Sequence, residues 1–94
     1  MRRLDKNRTK FFEYINKAKA EFARILETYP ELALLSDREI EVFEQLLSDK
    51  TLMEIAETLY ISHSTVHFHC KNIYKKLGIS SRRQFIITYK DLCQ

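Results

Sequence analysis

The 94-residue sequence has a single glycine, Gly78, and a single proline, Pro30. Sheets and hairpins need turn residues at every reversal, so this scarcity argues against a β-rich fold and for helices joined by short connections. There is no tryptophan, and the only cysteines are Cys70 and Cys93. Two cysteines this far apart in a small chain do not make a disulfide framework, so both are expected as free thiols, which fits a reducing compartment. No apolar run reaches the length needed to cross a membrane, and the start, M-R-R-L-D-K-N-R-T-K, lacks the apolar core of a secretory signal. A cytoplasmic protein is therefore expected. Residues 62–78 lack any acidic side chain, whereas residues 36–61 carry seven acidic and two basic ones. With six basic and one acidic residue over 62–94, the charge reverses sign near Ser62, and the chain has one side suited to a polyanion.

What is present centres on S-H-S-T-V-H-F-H-C-K-N-I-Y-K-K-L-G, residues 62–78. Ser62 is a helix cap, and Gly78 follows the last apolar residue, where a left-handed residue ends a helix at little cost. Val66, Cys70, Ile73 and Leu77 recur at steps of four, three and four, which places them on one buried stripe. Ser64, His67, Phe68, Lys71 and Lys75 fall on the opposite face. A helix is about as wide as the major groove of B-DNA, so a cationic, donor-bearing face of this kind fits duplex DNA, although a solvated surface helix has the same look when taken alone.

The preceding residues narrow the choice. Ser36 and Glu39 form a capping-box pair opening a helix with Ile40, Phe43, Leu46 and Leu47 inward, and Thr51 with Glu54 opens a second, burying Ile55, Ala56 and Leu59. Tyr60-Ile61-Ser62 is then a turn of three residues before the third helix, which is the helix-turn-helix arrangement. Because the turn lacks glycine, Tyr60 is expected to take an uncommon backbone conformation. A last helix runs from Ser80 or Ser81 to about Leu92, with Phe85, Ile86, Tyr89 and Leu92 inward and Ile87 off that face. Upstream, Pro30 makes residues 29–35 a linker. Residues 4–29 form a long amphipathic helix whose Phe11, Ile15, Ala18, Phe22, Ile25 and Tyr29 follow the coiled-coil period. That seam either packs within the monomer, or is a coiled coil or signalling linker that joins two copies or joins the domain to something upstream, with Phe11, Ile15, Phe22, Ile25 and the outlying Ile87 as dimer contacts. Basic Arg2, Arg3, Lys6, Arg8 and Lys10 would suit anionic lipid if the chain continued upstream to a membrane anchor.

The blocks L-S-D-R-E-I-E-V-F, M-E-I-A-E-T-L-Y-I-S and S-T-V-H-F-H-C-K-N-I-Y-K-K-L-G-I-S-S-R resemble the LuxR-type (GerE-type) DNA-binding domain of bacterial transcription regulators over residues 35–92. The resemblance implies an all-α, four-helix bundle over 31–94, preceded by the amphipathic helix of 1–30. It implies that the third helix reads the major groove and that the protein dimerises on an inverted repeat. His67, Phe68 and Lys71 match base-facing positions. Ser62 and Thr65 resemble phosphate contacts, as do Lys76 and Arg82 beyond the groove, and Thr51, Ser64 and Lys75 complete the expected phosphate set. The family usually has lysine where this chain has His67, and a Gly followed by Ser-Asn-Lys in the loop and scaffold-helix start, where this chain has Asp49-Lys50-Thr51-Leu52-Met53. Fewer cations imply weaker non-specific binding with a smaller salt dependence. His67 can still hydrogen-bond a base edge, Phe68 can touch a thymine methyl, and Lys71 can donate to guanine. Protonation of His67 would add a charge facing the phosphates.

His63, His67, His69 and Cys70 do not supply the ligand set of a closed zinc site, and no partner is spaced to activate Cys70 or Cys93 as a nucleophile. No metal, cofactor, small-molecule site or catalysis is expected. His69 matches the family's histidine in the recognition helix and is expected to be a partly buried packing residue. The expected partners are double-stranded DNA, a second copy of the chain and an upstream sensor domain in a longer protein. The competing reading is a protein-interaction module that uses the N-terminal helix and binds DNA weakly or not at all.

Overall fold

The computed structural model describes residue 17 and residues 19–93. The chain divides into two compact units, Met1–Glu31 and Leu32–Gln94. In the first, residues 19–28 form helix α1, with Phe22, Ile25 and Leu26 half-buried along it and half-buried Tyr29 just past its end. Phe11 and Ile15 lie outside the described residues.

The second unit is built on hydroxyl caps. Ser36 accepts from the Glu39 N–H and opens α2 (Asp37–Leu46), while Thr51 accepts from the Glu54 N–H and opens α3 (Leu52–Leu59). In both, the glutamate at the third helical position returns a bond to the cap's own N–H, so both capping boxes are complete. Ser62 opens α4 (His63–Leu77) by accepting from Thr65 N–H, and Ser81 opens α5 (Arg82–Thr88) by accepting from Gln84 N–H. All secondary structure among the described residues is helical. None of these helices is long and apolar enough to cross a membrane.

Two helices end in the same way with different residues. Gly78 closes α4 at φ 69°, and the Ile79 N–H reaches back to the Tyr74 carbonyl at 2.8 Å. Tyr60 closes α3 at φ 57° and ψ 42°, and the Ile61 N–H reaches Ala56 O at 3.0 Å. Both are Schellman-type endings, in which a left-handed residue lets the next N–H satisfy a carbonyl of the last turn. The glycine-free turn thus takes the left-handed conformation expected of Tyr60.

α4 packs on both α2 and α3, and α2 also touches α3. Its stripe of Val66, Cys70 and Ile73 is buried, with Leu77 at the partly covered end. Phe43 of α2 and Phe85 of α5 meet edge to face at 5.1 Å between ring centroids. Tyr89 joins them at 5.2 Å from Phe43 and 5.3 Å from Phe85, so one aromatic cluster ties the last helix to the first of the bundle.

Three expectations change. Residues 29–35 are not a plain linker: Pro30–Leu34 forms a 3-10 turn that buries Leu32, and Leu35 is buried as well. On α2, Val42 is buried with Phe43 and Leu46, whereas Ile40 and Leu47 are only partly covered. Having both α3 and α4 as neighbours widens the covered stripe of α2 towards Glu39 and Val42. The last helix is shorter than expected, giving way after Thr88 to a 3-10 turn at Lys90–Leu92, although Tyr89 is buried as anticipated.

Candidate nucleic-acid interface

The buried stripe of α4 leaves its other side to solvent. His67, Phe68 and Lys71 lie together there and are exposed, Phe68 by 61%. They share an open cleft of about 420 Å³ with Leu52 at the start of α3 and with Ser64, Cys70 and Tyr74. Leu52 and Tyr74 carry no mark of a binding residue in the sequence. Both have apolar spacing that reads as core, and only the crossing of α3 and α4 brings their edges to this surface. Burial raises the pKa of Cys70 and of Tyr74 above their ordinary values, which keeps both neutral at physiological pH.

At the N-terminal end of α4 the hydroxyls converge. Ser62 Oγ lies 2.7 Å from Thr65 Oγ1 and 3.1 Å from Ser64 Oγ, beside the first free N–H groups of the helix. Three hydroxyls around the positive end of a helix dipole can donate to a phosphate oxygen. Thr51 stands exposed at the start of α3, where its side chain is engaged in the capping box. The rings of His63 and His67, one turn apart, meet edge to face at 5.1 Å. Half-buried His69 lies against the ring of Phe68, with centroids 5.8 Å apart. Among the described residues no three His, Cys, Asp or Glu side chains are grouped to hold a metal ion.

The cations divide into two sets. Lys71 and Lys75 are exposed on α4. Lys76 instead donates from Nζ to Oε1 of Glu39 at 2.7 Å, and that carboxylate side chain is only 6% exposed. The hydrogen bond from Lys76, followed by the one from the Ser36 N–H, holds the Glu39 carboxyl below its ordinary pKa. Arg82 donates to the carbonyls of Ser48 at 2.8 Å and Leu46 at 3.3 Å, closing the C-terminal end of α2. Two of the three cations expected at phosphate, Lys76 and Arg82, are thus bonded within the bundle. The Lys76 pairing was hidden because Glu39 already had a complete local explanation as the capping-box glutamate.

A helix-turn-helix whose second helix presents a cationic, acid-free side suggests a regulator, and comparison of the sequence with known families decides which. The family of bacterial regulatory proteins of the luxR type matches residues 33–89. The chain belongs to the LuxR family. The spore germination protein GerE of Bacillus subtilis (strain 168) is 50% identical over 54 residues, covering 57% of this chain and 73% of GerE. The transcriptional activator protein EsaR of Pantoea stewartii subsp. stewartii is 44% identical over 66 residues, 70% of this chain and 26% of EsaR. The transcriptional regulatory protein LnrK of Bacillus subtilis (strain 168) is 44% identical over 62 residues, 66% of this chain and 28% of LnrK. The chain therefore spans most of GerE but about a quarter of the two larger regulators. No solved structure matches it. As a LuxR-family helix-turn-helix domain, residues 33–89 place the chain among DNA-binding transcription regulators, a class that is in general not enzymatic.

Proposed function

We propose that this LuxR-family chain recognises a specific duplex sequence as a dimer on an inverted repeat, with α4 in the major groove. His67, Phe68 and Lys71 face the bases, and Ser62, Ser64, Thr65, Thr51 and Lys75 hold the flanking phosphates. The observation that carries this reading is the exposed side of α4, where polar, aromatic and cationic side chains stand together without an acidic residue, opposite a stripe committed to the core. Phe22 and Ile25 of α1, and the 66% exposed Ile87 of α5, are the described candidates for the dimer contact. Its setting is the cytoplasm, and in a longer protein a sensor domain upstream would control it.

A second reading is favoured by Asp49-Lys50-Thr51-Leu52-Met53, the turn and start of α3, which has one cation and one acidic residue. A helix-turn-helix with few phosphate contacts can instead serve as a protein-interaction module, joined through α1. Sedimentation of the chain with a labelled random duplex pool at low and physiological salt, followed by sequencing of what binds, separates the two. Enrichment of an inverted repeat carried by two copies supports the DNA reading. A stable protein oligomer that enriches no sequence refutes it in favour of the interaction module.

A further inference from the structure

We propose that Glu39 is a positioning residue for DNA recognition, which acts through Lys76 to fix the angle at which α4 lies across the bundle. This inference rests on the DNA-binding reading above. Glu39 Oε1 accepts two bonds, from the Ser36 N–H at 2.8 Å and from Lys76 Nζ at 2.7 Å. The first holds the carboxylate to the opening turn of α2, and the second, 37 residues away in sequence, holds the closing turn of α4. The two helix ends have opposite dipole signs. The carboxylate sits at the positive end of α2 and the ammonium at the negative end of α4, so each charge favours its own helix as well as its partner.

The burial of Glu39 decides where Lys76 spends its charge. The Glu39 side chain is 6% exposed and that of Lys76 40%, so a lysine that leaves for a DNA phosphate gives up a half-exposed pair and leaves behind an ionised carboxylate with little access to water. The Lys76 ammonium therefore stays on Glu39 when DNA is present and is not a phosphate contact. Its effect on DNA is leverage. His67 lies about nine residues before Lys76, roughly 13 Å along the axis at about 1.5 Å per residue. A tilt of about 5° at the loosened end moves a base-facing side chain by roughly 1 Å over that length, enough to spoil a hydrogen bond to a base edge.

The test uses the full chain and a duplex selected from the random pool. Glu39→Gln keeps a residue that can complete the capping box but removes the charge, and Lys76→Met removes the ammonium while keeping the stem. Affinity and its salt dependence are measured for both single variants and the double variant, at a temperature where circular dichroism shows each to be fully folded. The expected result is about tenfold weaker binding in each single variant, no further loss in the double, and a slope of log K against log salt equal to the parent's. A slope made shallower by about 0.9 in Lys76→Met, the value for one lost phosphate contact, overturns the proposal. Parent affinity in folded Glu39→Gln also overturns it, because the pair then only stabilises. If Glu39→Gln does not fold, the slope of Lys76→Met decides alone. A parent chain that binds no duplex at any salt overturns the DNA reading and this role together, whereas a shallower slope in Lys76→Met beside a parent that binds overturns this role alone.

Discussion

Exchanging the residues that close α3 and α4 should shift stability in opposite directions by similar amounts. Tyr60 and Gly78 occupy nearly the same left-handed backbone conformation, φ 57° and φ 69°. That conformation costs a residue with a Cβ about 1–2 kcal/mol, and glycine is nearly free of it. Glycine loses more freedom on folding, which returns about 0.4–1 kcal/mol in favour of the larger residue. The difference leaves a net of about 0.5–1 kcal/mol. Side-chain contacts hardly enter on either side: Tyr60 is 95% exposed, and a Cβ added at Gly78 meets nothing within 4 Å. Tyr60→Gly should therefore raise stability by about 0.5–1 kcal/mol and Gly78→Ala should lower it by about the same, each moving Tm by roughly 2–8 °C for a domain of this size. The double variant should return close to the parent, since the two endings lie on different helices and do not share a partner. Thermal and urea unfolding followed by circular dichroism measure all three. A destabilised Tyr60→Gly would refute the reasoning, for it would mean that the Tyr60 ring contributes more than its backbone costs.

Three further outcomes follow from the core and the site. Phe85→Ala removes the centre of the aromatic cluster and should cost about 3–5 kcal/mol, read as a lower urea midpoint; a loss below about 1 kcal/mol would mean that the cluster repacks around the gap. Because Glu39 has a lowered pKa in the fold, the stability it contributes is complete above the ordinary carboxylate value of about 4.3 and is lost as pH falls through the folded value. Acid titration of stability should be flatter in Glu39→Gln than in the parent, and an identical acid limb in both would exclude this carboxyl as a source of acid sensitivity. Replacing a contacted thymine by deoxyuridine in a selected site should weaken parent binding about fourfold, the value of about 0.8 kcal/mol for one apolar carbon, and should leave Phe68→Ala unaffected; equal losses in both proteins would remove Phe68 from base contact.

The parts of the fold written in local chemistry are legible in the sequence. Ser36, Thr51 and Ser62 mark helix starts by side chain and spacing, Gly78 marks an end, and the missing turn glycine identifies Tyr60 as the strained position. The placement of His67, Phe68 and Lys71 on one open face follows from the period of a single helix. What depends on a second element is not legible. Val42 looks like an off-face residue until α3 and α4 both pack against α2, and Leu32 looks like linker until its turn folds inward. Lys76 and Arg82 read as free cations because their partners, Glu39 and the carbonyls of Leu46 and Ser48, are more than thirty residues away. A positive charge has the same sequence signature whether it is meant for a phosphate or for a buried carboxylate.

The four hydroxyl caps also bear on how quickly this bundle assembles. Each helix of the second unit carries its own starting point within three residues of sequence, at Ser36, Thr51, Ser62 and Ser81. The unfolded chain thus already favours the correct helix boundaries before any distant contact exists, and the search left to folding is chiefly the docking of short segments joined by short loops. Helical bundles with such local bonding fold in microseconds to milliseconds, and stopped-flow or temperature-jump relaxation of this chain should fall in that range. A polypeptide that folds this fast exposes its apolar stripes only briefly after synthesis, so a core of modest size can be reached without a long-lived, aggregation-prone intermediate.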